Sequence, residues 1–133
     1  LMSPCGAAIG QMAYYFNGDI YSCDEARMLK DDDMFKLGNV FENNYKEVLT
    51  SNKTCSLIAA SVNDTFFCNT CTYQTYCGLC PLTTYATTKS LVPKLPLDYR
   101  CKILKGQFRY LFEKIVFDTE FSEKINAQII KKK

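Results

Sequence analysis

CNTCTYQTYCGLCP, residues 68–81, places four of the chain's eight cysteines, Cys68, Cys71, Cys77 and Cys80, within thirteen consecutive positions. Whatever gathers that much sulfur decides how the surrounding chain folds. Three chemistries compete: disulfide bridges, a structural zinc ion, or an iron-sulfur cluster. An even cysteine count and the acceptor triplets Asn52-Lys53-Thr54 and Asn63-Asp64-Thr65 fit a secreted, disulfide-stapled module. The spacing argues against it, because Cys68/Cys71 and Cys77/Cys80 are both Cys-x-x-Cys pairs. Such pairs set two thiolates on one side of a tight turn, which suits a shared metal. Two zinc knuckles are usually separated by about 15–20 residues. Here only Thr72 to Tyr76 lie between them, leaving little chain to fold back around one ion. A compact cysteine run is how iron-sulfur clusters are often held, the last cysteine serving a different cluster from the others. The spacing therefore favours iron and sulfide, with zinc as the alternative occupant.

Composition narrows the field further. With 133 residues, 47% of them apolar, the chain suits one globular domain whose core does not depend on disulfides. Sixteen basic against fourteen acidic residues give a formal charge of +2, too small a field to argue for nucleic acid or an anionic membrane. No apolar run is long enough for a membrane span and no signal-peptide pattern opens the chain, so the expected compartment is the cytoplasm. The chain has no histidine, which removes the commonest general base and the nitrogen ligand of mixed zinc sites. Leu1 leads at once into Met2-Ser3-Pro4-Cys5, as an interior cut would, so a longer parent protein is expected. The closing Lys131-Lys132-Lys133 reads as a solvated tail.

Outward from the cysteine run, the elements predict an α+β fold: an N-terminal β-hairpin, then helices and cysteine-rich loops organised around two metal clusters. Asn17-Gly18 between aromatic-rich runs in residues 11–23 is a strong hairpin signal. The hairpin would carry Cys5 and Cys23 to one end, as candidate partners around one centre. Residues 40–62 read as helical, one helix over about 42–51 with Phe41, Tyr45 and Val48/Leu49 as core, the next over 54–62 with Leu57, Ile58 and Val62. Ser51 or Asn52 is its candidate cap. Asp31-Asp32-Asp33 reads as a turn or cap, and Cys55 as a lone small hydrophobe. Beyond the cysteine-rich loop at 66–82, residues 83–96 read as an irregular connector with Pro93 and Pro96. C-terminal helices follow over 101–130, with Ile103/Leu104, Phe108, Leu111/Phe112 and Ile115 on one face and Gly106 at a close packing contact.

The order Cys5, twelve residues, Gly18, four residues, Cys23, then the run at 68–80 and a final Cys101 resembles the SPASM domain. That is the C-terminal auxiliary-cluster domain of radical S-adenosylmethionine enzymes that modify peptides and proteins. Seven of the eight cysteines follow the family order; the departure is Cys77-Gly78-Leu79-Cys80, with two residues where the family has three. The resemblance implies two auxiliary 4Fe-4S clusters, the first on Cys5, Cys23 and Cys80, the second on Cys68, Cys71, Cys77 and Cys101. A fourth ligand to the first cluster would come from upstream of Leu1, or that iron is open, or Cys55 supplies it. The resemblance further implies a peptide or protein substrate and an electron donor or acceptor protein. The catalytic barrel, with its S-adenosylmethionine, would lie upstream, and this chain alone would not turn over. Arg27, Arg100 and Lys102 are candidates to offset cluster charge, and Tyr73, Tyr76 and Gly78 to line or approach the sulfurs.

Overall fold

Gly18 has φ of +87° and closes the Asn17-Gly18 turn, with its N–H bonded to the Tyr15 carbonyl. A Cβ there would lie 2.7 Å from the Phe41 ring and 2.9 Å from Asn39 Oδ1, so both conformation and space demand glycine. The computed structural model in which this is seen describes residues 5–29, 32–61, 66–95 and 97–130. Val62, Asn63-Asp64-Thr65, Asp31, Pro96 and the lysine tail lie outside the described residues. The chain forms two compact units, Leu1–Leu95 and Pro96–Lys133.

In the first unit the hairpin strands, β1 (Ala13–Tyr14) and β2 (Asp19–Tyr21), pair antiparallel, and β3 (Lys36–Asn39) adds to the far side of β2. This is the expected α+β class with one more strand than the sequence suggests. Asp19 joins the three: its carboxylate accepts from Lys36 Nζ at 2.8 Å, Asn39 Nδ2 at 2.9 Å and Asn17 Nδ2 at 2.9 Å. The Lys36 hydrogen bond first, then that from Asn39, holds this carboxyl below its ordinary range despite burial.

Helices α1 (Tyr45–Thr50) and α2 (Asn52–Ser61) follow. Asn44 and Glu47 form a reciprocal capping box on α1. Ser51 Oγ accepts from Thr54 N–H at the start of α2, as the sequence suggests. Val48 and Leu57 enter the core, but Phe41 and Tyr45 do not. Phe41 is 84% exposed because it covers the Gly18 turn rather than joining the helix face. Ala8, Ile20, Cys23, Ala26, Phe35 and Leu37 complete the core.

The stretch read as an irregular connector is helical over its first part, residues 83–88. After α3 (Phe66–Asn69), helix α4 occupies Pro81–Thr88, with proline at its first turn, where the missing N–H costs nothing. Its threonines bond back, Thr84 to Cys80, Thr87 to Thr83 and Thr88 to Thr84.

The second unit consists of two consecutive helices, α5 (Tyr99–Phe117) and α6 (Thr119–Ile130), joined at Asp118. Asp98 caps α5, accepting from the Arg100 N–H and from its guanidinium. Cys101, Leu104, Phe108, Phe112 and Ile115 form a half-buried stripe, and Phe121 and Ile125 do the same on α6. A Cβ at Gly106 would meet nothing within 4 Å, so close packing does not explain that residue. No described helix is long and apolar enough to cross a membrane.

Candidate metal centre

Cys23 lies just beyond β2, where the backbone is pinned from two sides. Ser22 N–H donates to the Phe35 carbonyl at 3.1 Å, and the Ser22 carbonyl accepts from Ala8 N–H at 2.9 Å. The second bond draws the segment that carries Cys5 alongside the end of the hairpin. Cys5 itself is half-buried. Cys23 is buried within the apolar core. Burial chiefly pushes its thiol pKa up; Glu25 and Cys80 push the same way through their charge, and the Ala26 N–H opposes them.

Cys80 is held by the helix it precedes. Its carbonyl accepts from both Thr84 N–H, at 3.0 Å, and Thr84 Oγ1, at 2.9 Å. Leu79, Pro81 and Thr84 are buried around it. One turn on, the Tyr85 ring packs edge-on against Phe35, centroids 5.5 Å apart at 80°. Tyr85 thus seats α4, which starts just after Cys80, on the core residue Phe35.

Cys68, Cys71 and Cys77 are arranged differently, by local winding. Cys71 N–H bonds the Cys68 carbonyl at 2.9 Å, Gln74 N–H the Cys71 carbonyl at 3.0 Å, and Cys77 N–H the Gln74 carbonyl at 3.1 Å. Gln74 Nε2 reaches back to Asn69 Oδ1 at 3.3 Å. Cys68 is buried, while Cys71 and Cys77 are half-buried. A Cβ at Gly78 would meet nothing within 4 Å, so backbone beside the sulfurs is approachable. Tyr76 is exposed and Tyr73 half-buried. Cys55 is exposed on α2. Cys101 sits in the second unit, in the first turn of α5, with its N–H on the Asp98 carbonyl at 3.0 Å.

Among the described residues no disulfide is present, and no three Cys, Asp or Glu side chains are grouped to hold one metal ion. Cys68, Cys71 and Cys77 share one wound segment. The donor set fits an iron-sulfur cluster on chemical grounds, being thiol throughout in a chain without histidine. Ser22 Oγ, beside Cys23, adds a second observation: it is buried with no hydrogen-bond partner among the described residues. Leaving such a hydroxyl unpaired costs about 1–3 kcal/mol, and a cluster's sulfur atoms are acceptors it could serve. Of the candidate cations, Arg27 is paired with Asp24 at 2.7 Å and Arg100 with Asp98 at 2.5 Å, while Lys102 is exposed. The sequence reading missed what positions Cys80, namely Thr84, Tyr85 and Phe35. The signal for it was Pro81 directly after a cysteine, a helix-start residue.

The SPASM family model, described as an iron-sulfur cluster-binding domain, matches residues 5–81. That stretch contains Cys5, Cys23, Cys68, Cys71, Cys77 and Cys80 and ends before Cys101. No curated protein and no solved structure matches the chain.

Proposed function

The chain belongs to the SPASM family of iron-sulfur cluster-binding domains, and from that premise we propose that it carries two auxiliary 4Fe-4S clusters for a radical S-adenosylmethionine enzyme that modifies a peptide or protein. Cys5, Cys23 and Cys80 would hold one cluster; Cys68, Cys71, Cys77 and Cys101 the other. The observation that carries this reading is the SPASM model's match to residues 5–81, a stretch that holds six of the seven proposed ligands. The clusters, when bound, supply one-electron transfer between the site of substrate oxidation and an electron donor or acceptor protein. The chain's own part is to present thiolates, keep water from them and help position the substrate. Ligation requires deprotonated sulfur, so the thiol that burial keeps protonated at Cys23 gives up its proton on loading. S-adenosylmethionine belongs to an upstream domain, and the setting is the cytoplasm.

Anaerobic purification with iron, sulfide and zinc analysis tests the proposal. About eight iron and eight sulfide per chain are expected if both sites fill as four-iron clusters, with a broad visible absorption that fades on reduction. Stoichiometric zinc without sulfide would reject it in favour of a structural zinc module. Cys68→Ala is expected to remove one cluster and spare the other.

A further inference from the structure

Among the described residues six polar or charged side chains are buried: Asp19, Ser22, Asn39, Thr54, Ser61 and Thr84. Five are accounted for. Asp19 and Asn39 bond each other in the hairpin, and the hydroxyls of Thr54, Ser61 and Thr84 donate to the Val48, Ile58 and Cys80 carbonyls at 2.6, 2.8 and 2.9 Å. Ser22 is the exception, 1% exposed and with no partner for its Oγ among the described residues. Its backbone is fixed, because the N–H is bonded to Phe35 and the carbonyl to Ala8, two buried residues. Alanine would fill the same position without an unmet hydrogen bond, so packing does not explain the hydroxyl. What sets Ser22 apart is its neighbour. Consecutive Cα atoms lie about 3.8 Å apart, and both side chains end one atom beyond Cβ, so Ser22 Oγ and the buried sulfur of Cys23 share one neighbourhood.

We propose that the Ser22 hydroxyl donates a hydrogen bond to a sulfur atom of the cluster that Cys23 holds, and that this bond raises the cluster's reduction potential. The proposal rests on the reading that Cys23 is a cluster ligand. Hydrogen bonds to the sulfurs are among the levers that set such potentials. Added negative charge on the sulfurs strengthens the bond, so the donor favours the reduced state over the oxidised one. The O–H bond itself stays intact, and the electron comes from the donor protein of the proposed function.

The test compares the full chain with Ser22→Ala, both loaded anaerobically. Of the two one-electron couples expected in the wild-type chain, Ser22→Ala is expected to disfavour reduction of one by roughly tenfold, a potential lower by about 59 mV. The reduced cluster of that couple is also expected to lose one exchangeable proton coupling in electron–nuclear double resonance. In the Cys68→Ala chain, which keeps the first cluster, the same shift identifies the couple. Ser61→Ala removes a hydroxyl that is as deeply buried but bonded to the Ile58 carbonyl, and it is expected to move neither couple. A second measurement needs no metal: Ser22→Ala, freed of an unmet polar group, is expected to melt above the metal-free wild-type chain. A lower melting point means that protein atoms already use the hydroxyl, and it overturns the proposal. Unchanged couples and proton couplings in loaded Ser22→Ala, or an equal shift in Ser61→Ala, overturn it too and leave the cluster reading standing. A wild-type chain that takes up no iron and sulfide fails earlier, and then it is the cluster reading that falls and takes this hydrogen bond with it.

Discussion

The hairpin region, residues 13–44, and the cysteine run, residues 66–80, lie in the same unit but are held by different means. In the first, side chains bond across long stretches of sequence: Asn39 to Asp19, Asn39 to the Asn17 carbonyl, Lys36 to Asp19. In the second, the hydrogen bonds described join residues five apart or fewer, such as Cys71 to Cys68 and Gln74 to Asn69. Turns of that kind set the course of a chain but resist little opening on their own. The hairpin is thus stabilised by protein atoms, whereas the cysteine run is shaped by them and, on the proposed function, is to be locked by its metal.

The largest expected effect comes from the residue the two regions share support through. Phe35→Ala is expected to cost about 3–5 kcal/mol, the usual range for a buried phenylalanine, and to destabilise both regions at once. A denaturant titration should show one cooperative transition shifted as a whole; loss of one region alone would separate them. Next, stripping the metal from the loaded chain is expected to raise amide exchange in 66–80 by roughly a hundredfold, while Ile20 and Asn39 change by less than about threefold. Equal deprotection in the two regions, measured by hydrogen exchange, would break the comparison.

Gly18→Ala forces a side chain into positive φ against Asn39 Oδ1 and Phe41, at a cost of about 2 kcal/mol. Thermal unfolding reads the cost, and the iron content of the loaded chain is expected to hold. Smallest is Asp19→Asn, about 1.5 kcal/mol for a hydrogen bond to a charged group. Its pH dependence has a definite sign. Because the folded carboxyl is held below its ordinary value, its contribution is complete above about pH 4 and is lost as pH falls through the depressed folded pKa. The wild-type chain should therefore lose its advantage over Asp19→Asn in acid, which melting curves at descending pH would record.

Much of this contrast was legible in the residues. Asn17-Gly18 announced the hairpin, and the cysteine order announced the family that residues 5–81 match. What was not legible has physical causes. β3 reads Lys36-Leu37-Gly38-Asn39, too short for alternation and carrying a glycine, a residue that usually weakens strands. Here that glycine is needed because a Cβ would lie 2.7 Å from Asn43 Oδ1. Helix α4 was hidden by its threonines, poor helix formers, whose hydroxyls turn out to bond the preceding turn. The docking of α4 on the core could not be read at all from spacing, since it depends on an aromatic contact between Phe35 and Tyr85.

That dependence bears on the timing of folding. The turns through Cys68, Cys71 and Cys77 can wind within microseconds, but α4, which starts just after Cys80, settles only when Tyr85 docks on Phe35, a step delayed by the entropy of closing a long loop. On the proposed function, a newly made chain would offer the sulfurs of the wound segment to iron early and Cys80 only when nearly native, so that metal uptake would report on completed folding.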